Sequence, residues 1–239
     1  MVGYLTDIGN SRPLNEDYIN YIEEDNFKLY VIADGMGGHN AGEIASKMAV
    51  DSIIDYIKNN IQNCKNGEIL ISAVKEANEK IYNASLNSLG YNGMGTTVTA
   101  CIIIGDKTYI ANVGDSCCYI VEEDKISKIT RDHSLVQELL DEGSITEEEA
   151  FHHPNKNIIT RAVGTGSNID VDLFDISHIN FNYIIMCTDG LSDELEKEDI
   201  LRIVHTSTDI NEVCRLLINT AKERGGKDNI SVLIIGGEK

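Results

Sequence analysis

FKLYVIADGMGGHNAG, residues 27–42, is the stretch on which the fold turns. Phe27 to Ala33 is a short apolar and β-branched run, which reads as a buried strand. Asp34-Gly35 then reads as a tight turn, because Asp tolerates turn geometry and Gly supplies positive φ. The glycine-rich stretch gives way to a helix. From Glu43 to about Ile61 the residues Ile44, Met48, Ile53, Ile54 and Ile57 recur at helical spacing, and Glu68 to Leu86 repeats the pattern with Ile71, Val74, Ile81 and Tyr82.

Downstream the period changes. Thr96 to Ile104, a Gly105-Asp106 hairpin turn, Thr108 to Val113, Cys117 to Val121 and Lys125 to Ile129 have the spacing of an antiparallel meander. Residues 131–169 differ: short helical stretches, a capping box at Thr146 and Glu149, His152-His153 and Pro154 read as a flap inserted over a sheet edge. Strands at Val171 to Ile176, Tyr183 to Cys187 and Ile230 to Ile235 follow, with helices near Lys197 to Val204 and Asn211 to Arg224. Many antiparallel strands with two pairs of helices fit an α+β sandwich of two face-to-face sheets, covered by helix pairs on both outer faces. No Gly/Ser-rich or Pro-rich linker divides residues 1–239, so one domain is expected.

Acidic residues number 39 against 20 basic ones, a formal charge of -19 that repels nucleic acid and anionic lipid. No apolar run approaches the roughly 18 residues of a membrane span, and the N-terminus lacks a basic region followed by an apolar one. A cytoplasmic monomer without nucleic-acid or membrane partners is the expectation. Cys64, Cys101, Cys117, Cys118, Cys187 and Cys214 have no C-x-x-C spacing and lie mostly in apolar runs, as reduced core thiols do.

Some of the acids occupy positions that surface charge does not explain. Asp34, Asp115 and Asp189 end apolar runs in VIADG, IANVGDS and IIMCTDG, and Asp228 stands just ahead of a strand. Singly, each is a turn residue. Brought together, carboxylates about 4 Å apart would repel by roughly 1 to 4 kcal/mol per pair, so the cluster would need a cation. All-oxygen ligation, with the Gly35 carbonyl available, suits magnesium or manganese, whereas zinc would recruit His or Cys.

The segments SRPLNEDY (11–18), ADGMGGHNAGEIAS (33–46), GMGTT (93–97), ANVGDS (111–116), TRDHS (130–134), ITRAVGT (159–165), CTDGLSD (187–193) and GGKDNISV (225–232) carry a resemblance. In this order the chain resembles the type 2C family of metal-dependent serine/threonine protein phosphatases, in its bacterial form. The resemblance implies that Asp34 bridges two Mn2+ or Mg2+ ions, the Gly35 carbonyl binds one, and Asp189 and Asp228 complete the other. It implies a third ion in bacterial members, held by Asp115 with Asp189. Glu16, Asp17 and Asn229 would orient the ligands or their waters, and Arg12 would grip the phosphoryl oxygens. It further implies hydrolysis of phosphoserine and phosphothreonine by direct attack of a metal-bridging hydroxide, opposing a serine/threonine kinase that is itself among the substrates. Metal ligation can bring a water pKa from 15.7 to about 7.

Two departures from the family pattern stand out. Cys117, beside Cys118, stands where the family often has an arginine; a strand holding two small hydrophobes is the simpler reading than a redox pair. Met36 replaces the histidine that protonates the leaving alcohol in animal members. His39 then becomes the candidate acid, with turn capping or a water acid as the alternatives. His133 is expected to support the base of the flap. A metal-free binding module and an aspartyl-phosphate phosphatase are the competing functions; the second usually needs an Asp where Met36 stands.

Overall fold

The computed structural model describes residues 1–37, 41–64, 66–151 and 153–237. His39 and His152, and what was expected of them, lie outside the described residues.

The strands are β1 (Val2–Asp7), β2 (Asp17–Glu24), β3 (Phe27–Met36), β4 (Gly95–Thr96), β5 (Val98–Ile104), β6 (Lys107–Val113), β7 (Cys117–Glu122), β8 (Lys125–Lys128), β9 (Asp172–Asp175), β10 (Tyr183–Cys187) and β11 (Ile230–Gly236). Helices α1 (Ala41–Asn60) and α2 (Glu68–Asn87) follow β3, α3 (Leu135–Asp141) and α4 (Glu147–Phe151) follow β8, and α5 (Asp189–Ser192), α6 (Lys197–Val204) and α7 (Ile210–Arg224) lie between β10 and β11. One sheet has the order β1-β11-β10-β7-β8 and the other β2-β3-β5-β6-β9, with β4 paired to β3. All pairings are antiparallel.

Three apolar layers hold the sheets and helices together. Leu29, Val31 and Ala33 of β3 face α1 and α2, while Tyr30 and Ile32 face the other sheet. On β10, Ile185 and Cys187 face α6 and α7, and Ile184 and Met186 point back into the space between the sheets. Strands covered on both faces read as continuous apolar runs, because successive side chains enter two different cores. The four-layer αββα arrangement follows from that double burial.

Three expectations are corrected. Asp34-Gly35 is not a turn: β3 runs on to Met36, with Gly35 opposite Thr96 and Met36 opposite Gly95. Glycine is required there by close approach, since a Cβ on Gly35 would stand 2.1 Å from the Gly42 carbonyl oxygen. The meander is split, because β5 and β6 belong to one sheet and β7 and β8 to the other, the chain crossing over at residues 114–116. Finally, β1 and β2 have no counterpart in the sequence reading. Both are edge strands, and VGYLTD and DYINYIEE, buried less completely, lack a continuous apolar run.

All six cysteines are free thiols, five of them buried. Cys117 and Cys118 enter opposite cores: Cys117 lies opposite Cys187 with the sulfurs 3.6 Å apart, and Cys118 shares the inter-sheet layer with Cys101. Among the described residues no helix is long and apolar enough to cross a membrane.

Candidate metal centre

Strand register creates the first part of the site. β2 and β3 pair so that Asp17 stands directly opposite Asp34, and the end of β10 delivers Asp189 to the same end of the sandwich. Asp17 is 7 % exposed, and Thr188 donates its hydroxyl to Asp17 Oδ2 at 3.0 Å. Asp17 Oδ1 and Asp189 Oδ1 are buried and have no hydrogen-bond partner among the described residues. An uncompensated carboxylate oxygen away from water costs on the order of 1 to 3 kcal/mol or more.

The charges act on one another. Burial pushes Asp34 well above the usual carboxylate value, and Asp17, Asp189, Asp115 and Asp228 add to the rise. Asp189 is raised for the same reasons, first by burial and then by Asp115 and Asp193. Asp17 is pushed up to about 7, chiefly by burial. Asp115 is also raised to about 7, by burial and then by Asp132 and Asp193. Like charges held together out of water are the condition a bound cation relieves.

Asp228 is the member of the group with a cation beside it, Arg12 Nη2 at 2.6 Å. Arg12 is exposed, and its guanidinium also feels Asp34 and Asp189. Asn229 positions the loop that carries it: the Asn229 side chain donates to the Ile8 and Leu14 carbonyls, while Glu16 N–H donates to Asn229 Oδ1 at 2.9 Å. The Glu16 carboxylate lies against Gly42 at the start of α1, where a Cβ would stand 2.4 Å from Glu16 Oε1; burial raises its pKa on balance, although the Gly42 and Glu43 amides lower it. Glu16 therefore faces a helix N-terminus, where the peptide dipoles favour negative charge.

Hydroxyls join the aspartate strands. Asp34 N–H donates to Thr97 Oγ1 at 3.0 Å, the Thr96 hydroxyl donates to the Asp34 carbonyl at 2.8 Å, and Thr97 Oγ1 lies 2.7 Å from Ser116 Oγ. Thr97 and Ser116 thus tie Asp34 on one sheet to the loop of Asp115. These threonines and the serine, like Asp132 and Asp193, were not singled out from sequence. The available signal was their position inside the GMGTT, ANVGDS, TRDHS and CTDGLSD segments.

The structure therefore brings Arg12, Glu16, Asp17, Asp34, Gly35, Asp115, Asp189, Asp228 and Asn229 to one end of the molecule. Among the described residues no three His, Cys, Asp or Glu side chains converge on a common ligating point as they stand. Hard divalent cations keep several waters and need one or two carboxylates each, so spread oxygen donors with orphaned lone pairs fit them. The donor set is all oxygen, which suits magnesium or manganese over softer metals.

The sequence model of the protein phosphatase 2C family matches residues 10–231. A serine/threonine phosphatase named stp from Listeria monocytogenes is 37% identical over 236 residues, covering 97% of this chain and 94% of the relative. The crystal structure of a bacterial serine phosphatase superposes with a TM-score of 0.92 at 35% identity, covering 100% of this chain and 98% of that one. A second, the catalytic domain of the serine threonine protein phosphatase PstP in complex with 2 manganese ions, gives 0.84 at 30% identity over 98% of this chain and 96% of that one.

Proposed function

The chain belongs to the protein phosphatase 2C family as a metal-dependent serine/threonine phosphatase of the bacterial kind, and on that premise we propose that it transfers the phosphoryl group of phosphoserine and phosphothreonine directly to water. The observation that carries the reading is the set of buried, mutually repelling carboxylates with orphaned oxygens at Asp17 and Asp189, overhung by the Arg12 guanidinium.

We assign Asp34 to both ions of a Mn2+ or Mg2+ pair, the Gly35 carbonyl to one of them, Asp189 and Asp228 to the other, and Asp115 with Asp189 to a third. When bound, the ions would lower the pKa of a water and offset charge on the phosphoryl oxygens. Arg12 then exchanges its contact with Asp228 for the substrate, its planar fork matching two phosphoryl oxygens. Glu16, Asp17 and Asn229 keep the carboxylates and the Arg12 loop in place. In the reaction an oxygen from water bonds to phosphorus as the phosphorus to serine or threonine oxygen bond breaks. His39 returns a proton to the leaving oxygen.

Residues 1–239 are taken as one catalytic domain with a flap at 131–169, acting as a cytoplasmic monomer on phosphoproteins that include its opposing serine/threonine kinase. Turnover of phosphothreonine and phosphotyrosine peptides, measured side by side with EDTA and then with millimolar Mn2+, tests enzyme, metal and selectivity together. Metal-dependent release of phosphate from the phosphothreonine peptide is expected. Trapping of a phosphoaspartate on Asp34 would overturn direct transfer to water.

A further inference from the structure

Asp115 follows a backbone corner that only glycine can make. Gly114 has φ +104°, and a Cβ on it would lie 2.5 Å from Thr97 Cγ2. This corner is where the chain leaves β6 for the other sheet, and the buried ring of His133 braces it. Gly114 N–H donates to His133 Nδ1 at 3.0 Å, and the His133 backbone N–H donates to the Gly114 carbonyl at 3.0 Å. Asn112 Nδ2 donates to the same carbonyl at 3.2 Å.

The opposite side of the ring faces another part of the chain. His133 Nε2 lies 3.2 Å from Asp172 Oδ2 and 3.0 Å from Arg161 Nη1. Since Nδ1 accepts, the proton of a neutral ring sits on Nε2. A guanidinium cannot accept that proton, so Asp172 does. Arg161 Nη1 meanwhile donates to Asp172 Oδ1 at 2.7 Å and to the Asp170 carbonyl at 3.3 Å. Thr160 N–H donates to the His133 carbonyl at 2.8 Å. Burial, assisted by the Arg161 charge and opposed by Asp172, holds His133 below its ordinary pKa, which favours the neutral ring.

We propose that His133 is a positioning residue: its Nδ1 fixes the Gly114–Asp115 corner, and its Nε2–H couples that corner through Asp172 to the Arg161 segment. One tautomer of one ring thereby sets where the Asp115 carboxylate presents itself to a cation. The inference rests on the reading of Asp115 as a cation ligand, but the brace itself is independent of it.

The amide shapes of Asn and Gln separate the two contacts. Asn Oδ1 occupies roughly the position of Nδ1, and Gln reaches only toward Nε2. In metal-free protein labelled with 15N, the Gly114 amide is expected to keep its exchange protection in His133→Asn and to lose it by about tenfold or more in His133→Gln. Calorimetric titration with Mn2+ is expected to show the weakest ion weakened about fivefold to tenfold in His133→Gln and less than about twofold in His133→Asn, with substrate KM unchanged in both. Asp172→Ala, which removes the side-chain acceptor of His133 Nε2–H altogether, is expected to give an intermediate loss of Gly114 protection and serves if His133→Gln does not fold. Equal behaviour of the Asn and Gln variants at His133, or unchanged Gly114 exchange in Asp172→Ala, would overturn the brace. If Asp115→Ala leaves the Mn2+ isotherm intact while His133→Gln still frees the Gly114 amide, the cation half is wrong and the brace stands.

Discussion

Each end of the sandwich gathers acidic side chains, and they are treated in opposite ways. At one end Asp17, Asp34 and Asp189 sit where their pKa values are driven upward, and two of them hold buried oxygens that meet no donor among the described residues. At the other end a cavity of about 990 Å3 opens between the sheets. Glu24, Asp25, Asp106 and Glu123 around it lie at or beside hairpin turns and are exposed to water. That cavity lies at the end with exposed surface charge. What distinguishes the chemical end is carboxylate charge that the fold holds away from solvent without neutralising it, and such arrangements are maintained for a purpose.

The severest way to break the contrast is to neutralise one buried acid without changing its shape. Asp34→Asn is expected to reduce kcat for a phosphothreonine peptide by about 10^3-fold or more, roughly 4 kcal/mol of transition-state stabilisation. The same variant should be more stable than the parent when metal-free, with Tm higher by about 2–4 °C, because a source of repulsion has gone. A variant that lost both activity and stability would mean that Asp34 supports the fold and not a cation.

Next in size is the pH dependence of the metal-free protein. Asp17 and Asp115 are raised from 3.8 to about 7 by burial and neighbouring acids. Between those two values the folded state binds more protons than the unfolded chain, so stability falls as pH rises from about 4 to about 7. A thermal-melting series in EDTA from pH 5 to 8 should show Tm declining by several degrees. Saturating Mn2+ should flatten or reverse the slope, since it binds the deprotonated carboxylates. A Tm that rises with pH in EDTA would refute the account of unpaired buried charge.

Arg12 touches the cluster from solvent, and its removal should be milder. Arg12→Ala is expected to lower kcat/KM by about 10- to 100-fold, as loss of a charged hydrogen-bonding group of about 1.5–3 kcal/mol would. Arg12→Lys should recover only part, because an ammonium cannot grip two oxygens in one plane. Mn2+ affinity measured by titration should be little altered in either variant. A large fall in affinity would place Arg12 among the structural supports of Asp228.

How much of this was legible in the sequence depended on burial. Strands covered on both faces, such as Phe27 onward and Tyr183 to Cys187, announced themselves as apolar runs. The edge strands β1 and β2 did not, and with β2 unread the pairing of Asp17 with Asp34 was invisible. Contacts such as Arg12 with Asp228 span 216 positions, and no local period reports them; the family motifs carried that information instead. Asp34-Gly35 was misread because the same dipeptide serves a turn and a close backbone approach, and only the Gly42 carbonyl distinguishes them. Thr97 and Ser116 passed unnoticed because a hydroxyl bridge between sheets leaves no pattern in one dimension.

The smallest effect belongs to the far end, and it is the control that gives the comparison its meaning. Asp106→Asn and Glu123→Gln each remove a negative charge beside the large cavity, just as Asp34→Asn does at the acid end. An exposed carboxylate at a turn is stabilised by water in the folded and unfolded chain alike, so its removal should shift stability by no more than about 0.5 kcal/mol. Neither variant should alter kcat/KM by more than about twofold or flatten the slope of Tm against pH in EDTA. If either variant reproduced even a tenth of the loss expected for Asp34→Asn, net charge would matter more than burial, and position in the fold would not explain the site.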